Sequence, residues 1–282
     1  MQSWAYISAG IIMGSSVVYV ALEKLYPYDP GHKLFRRGFA LDFVWYSLIQ
    51  SYLLGLLIGL VIESLDKGTG LSRLHLVSAW PFWAQLLFFF VVHDLYIYWF
   101  HRWMHVNKYL WRLHEAHHSC EEVDWVAGSR SHPLEIMINQ TIEFAPMVLL
   151  GAHPALPVTK ATMDALWGMF IHSNVGARLG WLNYVINGPE MHRWHHATNY
   201  KPPGMNYGTK LALWDWLFGT AYLPREKPAA YGLPEVKFPT GPIGQTLFAF
   251  RRFDPPAPPA EATAPVEAVP AGRAPESAAH QS

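Results

Sequence analysis

Cysteine is nearly absent. Cys120 is the only one in 282 residues, which rules out an intrachain disulfide and any thiolate set for zinc or an iron–sulfur cluster. Charge is scarce too. Only 15% of residues are Asp, Glu, Lys or Arg, and the formal net charge is zero; soluble domains carry about 25%. Such a chain has no electrostatic footing for nucleic acid or a strongly acidic partner. It also lacks a Gly-rich dinucleotide fingerprint, so no reductase is fused within this sequence. Residues 4–22 are apolar, yet no basic stretch precedes them and no small-residue cleavage site is clear. They read as a retained anchor rather than a cleaved signal.

What the chain has instead is apolar and aromatic surface: 51% of residues are hydrophobic and 15% are Phe, Trp or Tyr. Three uncharged runs approach the roughly 20 residues that span a bilayer. They are Trp4 to Leu22, Phe43 to Ile62, and Leu76 to Val92, the last continuing through His93 and Asp94 to Phe100. A helix over residues 76–100 would be about 37 Å long, more than the roughly 30 Å of hydrocarbon, so its end should emerge into water. His101 and His105 stand at that exit, among Tyr96, Tyr98, Trp99, Phe100 and Trp103, which form either a lipid slot or an interfacial belt. Two further stretches, 134–150 and 155–171, are interrupted by Glu143, Pro146, Lys160 and Asp164 and read as a helical hairpin, spanning or re-entrant.

Basic residues set the orientation. Lys24, Lys33, Arg36 and Arg37 follow the first run, and Arg102, Lys108, Arg112 and Arg130 follow the third, whereas only Lys67 and Arg73 lie between the second and third. The four-residue groups belong inside, which places the histidine clusters on the cytoplasmic side. The expected division is 1–75 for N-terminal membrane helices, 76–250 for the catalytic region and 251–282 for a disordered tail. Residues 254–282 hold seven prolines and nine alanines, too little large apolar surface to offset the entropy of ordering.

Histidine is the residue in excess. Five fall within eighteen positions (His101, His105, His114, His117 and His118), and His192, His195 and His196 repeat the spacing of the last three. Residues three and four apart share a helix face, so each H-x-x-H-H triplet is expected to present three imidazoles to one point. Neutral imidazole ligates zinc, copper, iron and nickel, and one ion cannot use eight. The pattern therefore predicts two metal ions. Isolated His32, His75, His153 and His280 are expected to be ordinary polar residues. His93, beside Asp94 inside an apolar run, is either functional or part of a buried polar pair. Asp94 precedes His101 by two helical turns and is placed to orient that imidazole. His114-Glu115-Ala116-His117-His118 also satisfies H-E-x-x-H, the zinc hydrolase pattern. Arg193 replaces Glu115 in the second triplet, so the feature common to both is H-x-x-H-H. A metal transporter is a third reading, disfavoured because the clusters lie outside the apolar runs.

These residues resemble a known family. His101-Arg102-Trp103-Met104-His105 and Leu110 through Ser119 look like the first two boxes of the fatty acid hydroxylase/sterol desaturase superfamily. Ser131-His132-Pro133-Leu134-Glu135, Ile171-His172-Ser173-Asn174, Glu190 through His196, Asn206-Tyr207-Gly208 and Leu213 through Thr220 resemble its later signatures. The resemblance covers roughly residues 90–225. It implies a membrane oxygenase with a di-iron centre on the cytoplasmic face, using dioxygen and electrons from a separate protein to hydroxylate or desaturate a lipid, sterol or fatty-acyl chain. It carries over the eight box histidines as ligands, with His172 and then His132 as additional ones. Glu135 and Asn174 join Asp94 as groups that would hold ligand rings in place. The expected fold is all-α: a multi-pass membrane helical bundle of about four spans, or three plus a hairpin, with a cytoplasmic helical cap carrying the histidine-rich dimetal site.

Overall fold

The outward faces of the long helices are as apolar as the inward ones. A computed structural model of the chain describes residues 2–198 and 205–253. Helix α1 (Gln2–Leu25) exposes Tyr6, Met13 and Val17, and helix α2 (Ser51–Thr69) exposes Tyr52, Leu56 and Leu60. A π-helical stretch, Leu41–Gln50, runs directly into α2, making one 29-residue rod, Leu41–Thr69. It outlasts the apolar run because Glu63 and Lys67 pair one turn apart and Gly70 ends the helix in the left-handed region. Helix α3 (Phe82–Val106) is the third long apolar element. These three are long and apolar enough to cross a membrane, and the described residues contain no β-strand, only isolated bridges. The fold is all-helical, as expected.

The hairpin consists of α5 (Pro133–Leu149) and α6 (Leu156–His172). Helix α1 packs along α6, and α2 along α5. At the tip, Gly151 adopts φ +71°, and a Cβ there would meet the Ser72 carbonyl oxygen at 2.9 Å. Close by, Val77 N–H donates to Leu150 O at 3.2 Å. The tip thus meets the loop between α2 and α3, so the hairpin runs the depth of the bundle instead of turning back midway. Small apolar clusters seal this end: Val77, Phe89, Met147 and Leu156, with Ile58, Ile62 and Ala145 beside them.

The opposite end gathers the loops after α1, α3 and α6. Pro27 bridges Val175, and Asp42, fully buried, takes hydrogen bonds from Arg36 at 2.8 Å and from Arg130 at 2.7 and 3.0 Å. Arg36 also grips Asp124 with two bonds of 2.8 Å. Removing one member of such a buried network leaves uncompensated charge, costing about 3–5 kcal/mol. Asp42→Ala should therefore lower the unfolding midpoint in detergent markedly, and an unchanged midpoint would show that the guanidinium groups find other partners.

On this end sit the short helices α4 (Lys108–His118), α7 (Pro189–His195), α8 (Leu213–Leu217) and α9 (Pro242–Phe248). The predicted tail, 254–282, lies outside the described residues, as does His280.

Candidate metal centre

The centre begins where α3 leaves the bundle. His101 and His105 occupy one face of its last turns. Asn107 then reverses the chain: its side-chain oxygen accepts from Tyr109 N at 2.9 Å and Leu110 N at 3.2 Å, capping α4. Helix α4 folds back along α3 and carries His114, His117 and His118 to the same place. Helix α7, packed on α6, supplies His192, His195 and His196, and the C-terminus of α6 supplies His172.

Nine imidazoles divide into two groups. His101, His105, His114, His118 and His195 bring one nitrogen each to within 4.8 Å of one another, and His117, His172, His192 and His196 do the same. Each H-x-x-H-H triplet is therefore split. This differs from the expectation that a triplet serves one point, and the reason is helical geometry. Positions i and i+4 share a face, so His114 pairs with His118, and His192 with His196; the residue at i+3 is rotated away by most of a quarter turn. Across the two helices, His195 joins the first group and His117 the second. The groups adjoin, with the His118 and His196 rings 4.6 Å apart.

Donor chemistry fits a metal. In the four-histidine group, Nε2 atoms face one another: His192 to His172 at 2.8 Å, His196 to His192 at 3.1 Å, His196 to His172 at 3.2 Å and His172 to His117 at 3.3 Å. Nitrogens sharing an ion at about 2.0–2.1 Å would lie roughly 2.9–3.4 Å apart. In the first group, His101 and His114 Nε2 approach to 3.0 Å, while Nε2 of His118 and of His195 is buried with no hydrogen-bond partner. A buried polar atom left so is costly unless a ligand meets it. Burial pushes the pKa of His114, His118, His192, His195 and His196 well below the usual value, and that of His117 down to about 4. The rings are neutral near pH 7, with electron pairs free for a cation.

Five of the far nitrogens are held from behind. Nδ1–H of His101 donates to Tyr207 O (2.8 Å), of His117 to Arg130 O (3.1 Å), of His172 to Gly168 O (2.8 Å) and of His195 to Met205 O (2.9 Å). His114 Nδ1–H donates to Glu135 Oε1 at 3.0 Å. Each contact fixes the tautomer that turns Nε2 inward. Glu135→Leu should consequently weaken metal retention by about 10–100-fold. Metal content measured across a chelator series would reveal it, and an unshifted series would assign Glu135 to packing alone.

Other predicted positions lie elsewhere. His132 belongs to neither group: its Nδ1 accepts from Leu134 N at 3.1 Å, capping α5, and Nε2–H donates to Thr246 O at 3.0 Å. With both nitrogens engaged, it has no electron pair to offer. Asp94 touches no imidazole; it accepts from Thr209, Lys210, Leu211 and Trp214 instead. Asn174 exchanges hydrogen bonds with the Asp29 backbone at 3.0 and 3.1 Å, pinning the loop after α1. Glu115 is buried, which raises its carboxyl pKa to about 7, but it joins neither group. Five imidazoles around one point leave little room for the three-ligand water site of a zinc hydrolase. His93 forms a third cluster with Glu143 and Asp164, but the Lys160 ammonium already bonds all three. That cluster is a buried polar network carrying its own cation.

Gly128 carries no signal in the sequence. A Cβ there would stand 2.4 Å from His172 Nδ1, so the glycine makes room for the ring. The carbonyls behind the rings were equally hidden, although Asn206 hints at one: at φ +55° it turns the backbone so that Tyr207 O meets His101.

Comparison with known proteins agrees with the histidine boxes. Residues 86–220 match the family model described as Fatty acid hydroxylase. The chain is 32% identical over 145 residues to the ornithine lipid hydroxylase of Rhizobium tropici, covering 51% of this chain and 44% of that protein. It is 34% identical over 167 residues to the alkylglycerol monooxygenase of Danio rerio, covering 59% and 34%. Methylsterol monooxygenase 1 of Rattus norvegicus is 31% identical over 132 residues, covering 46% and 44%. The matched region thus spans between a third and a half of these relatives' own lengths. No solved structure matches. All nine grouped histidines fall inside residues 86–220, the stretch that matches the fatty acid hydroxylase family model.

Proposed function

We propose that the chain is a membrane oxygenase that hydroxylates or desaturates a C–H bond of a lipid, with one iron held by His101, His105, His114, His118 and His195 and a second by His117, His172, His192 and His196. The division of nine neutral imidazoles, eight buried and His105 half-buried, into two adjoining groups carries this reading. Zinc has no redox chemistry, and a closed structural zinc site needs only four ligands. Iron in an all-nitrogen set, reduced by a separate electron-transfer protein, supplies dioxygen activation toward unactivated C–H bonds.

The chain's own residues do the rest. Carbonyls of Tyr207, Arg130, Gly168 and Met205, with the Glu135 carboxyl group, keep five of the nine rings aimed inward. The buried walls keep bulk water from the site. The names of the relatives, with ornithine lipid, alkylglycerol and methylsterol among them, support a lipid or sterol substrate. So does the position of the histidines at the end of α3, where a lipid can approach sideways. Basic residues at the histidine end, against Lys67 and Arg73 at the other, support a cytoplasmic orientation.

Mass spectrometry of lipid extracts from cells with and without the gene is the deciding experiment. The expected difference is a lipid that gains one oxygen atom or loses two hydrogens, dependent on iron in the purified protein. Protein purified with two zinc ions, and no oxygen consumption with any reductant and lipid, would end the proposal.

A further inference from the structure

Asp94 sits deep in α3, yet its four partners come from residues far along the chain. Depth can be read from the tryptophans on this helix. Trp83 is exposed near its start and Trp99 and Trp103 near its end, 16 and 20 residues on. At 1.5 Å per residue these pairs stand about 24 and 30 Å apart, matching the interfacial belts of a bilayer. Asp94 precedes Trp99 by five residues and Trp103 by nine, about 7 to 14 Å on the membrane side of the belt. Thr209 Oγ1, Lys210 N, Leu211 N and Trp214 Nε1 all donate to its carboxylate, at 3.2, 3.1, 3.0 and 2.9 Å. A second marker agrees: Lys210 Nζ reaches Asp164, at the midpoint of α6, at 3.1 Å.

Backbone outside a helix is tolerated at that depth only when protein satisfies its polar groups. Here Asp94 takes the N–H groups of Lys210 and Leu211, Asn187 N–H donates to Lys210 O at 2.8 Å, and Trp216 Nε1–H donates to Asn183 O at 2.8 Å. The polar face of the segment is thereby closed inward. Its outer face is apolar: Leu213, Trp216 and Leu217 on and around α8, with Trp181, Tyr184 and Val185 on the neighbouring 3-10 turn, are all exposed. Tyr184 and Trp216 rings lie 4.7 Å apart, so the two elements share one surface. That surface continues onto the membrane face of α3, where Trp99 packs on Phe218 at 4.8 Å.

We infer that residues 179–186 and 209–218 are not part of a water-facing cap but insert into the acyl layer of the leaflet on the histidine side, with Asp94 as their anchor. Six large apolar side chains form a lipid-contacting surface, larger than a water-soluble face ordinarily shows. The insertion has a consequence for the site. Tyr207, whose carbonyl holds His101, lies two residues before the anchored stretch, so the wall of the metal centre is itself in contact with lipid. The inference rests on α3 crossing the bilayer and not on the chemistry of the metals.

Nitroxide depth measurement on the full chain, in phosphatidylcholine–phosphatidylglycerol vesicles, tests it. Cys120 is buried, so an introduced cysteine labels selectively. Leu217→Cys and Trp181→Cys lie on different elements and are exposed, so neither opens a cavity. Leu87→Cys on the exposed face of α3 serves as the lipid control and Glu226→Cys, in an exposed loop, as the aqueous one. Labels at 217 and 181 should relax with dissolved oxygen, like the label at 87, and be shielded from a water-soluble nickel chelate. If 217 and 181 respond to the chelate like 226 while 87 reports lipid, the insertion is overturned. If 87 also responds like 226, the spanning assignment of α3 falls and the insertion falls with it; the lipid-product assay is unaffected by either result.

Discussion

Replacing His195 with alanine should abolish product formation and empty the five-histidine group, whereas Glu115→Gln should leave turnover close to that of the unmodified enzyme. His195 is held by Met205 O from behind and aims its other nitrogen, buried and otherwise unpartnered, at the centre of the group. Losing a group that merely orients a ligand typically costs about 10–100-fold in metal affinity, and losing the ligand itself should exceed that. Glu115 stands apart from both groups, so its amide should matter little. Iron content and lipid product, measured side by side on both variants, give the comparison. The opposite pattern, an inactive Glu115→Gln beside an active His195→Ala, would turn the interpretation toward zinc-dependent hydrolysis.

Gly128→Ala should be nearly as damaging without replacing a ligand. The added carbon would sit 2.4 Å from His172 Nδ1, 2.7 Å from Cε1 and 2.8 Å from Cγ. The ring must move, and it is fully enclosed, with Nε2 already 2.8 Å from His192 and 3.3 Å from His117. Misplacing a reacting group by about 1 Å can cost a hundredfold in rate, so turnover should fall by about that factor while the helical signal stays intact. Gly168→Ala is the control. It lies one turn before His172 on α6, with open space where its Cβ would go, and alanine favours a helix there. Equal activity in both variants would mean that the ring relaxes freely around Gly128.

How much of this was legible in the amino-acid string depends on distance along the chain. Helix α3 was readable because a long apolar run needs no partner to declare itself, although it spans Phe82–Val106 where the run suggested 76–100. So were the eight box histidines, since their spacing on one helix is local. His172 came only with the family resemblance, and the structure brings it into the four-histidine group. His132, ranked behind His172, instead caps α5, because Pro133 starts that helix directly after it. Asp94 was expected to orient the His101 ring; its partners instead lie more than a hundred residues away, and no periodicity points to them. The division of each triplet was likewise invisible: one helix can say which residues share a face, not which neighbour that face will meet.

From sequence alone came the all-helical class with its long apolar runs and the histidines that the fold gathers, because composition, run length and helical period are properties of short stretches. Folding decided the rest: which imidazole joins which group, which carbonyl holds it, and which distant groups Asp94 meets. Those outcomes depend on where α4 and α7 bring their histidines together and on Asp94 receiving the backbone of residues 210 and 211. Contacts between distant parts of a chain are set by packing in three dimensions, and packing leaves no local pattern to read.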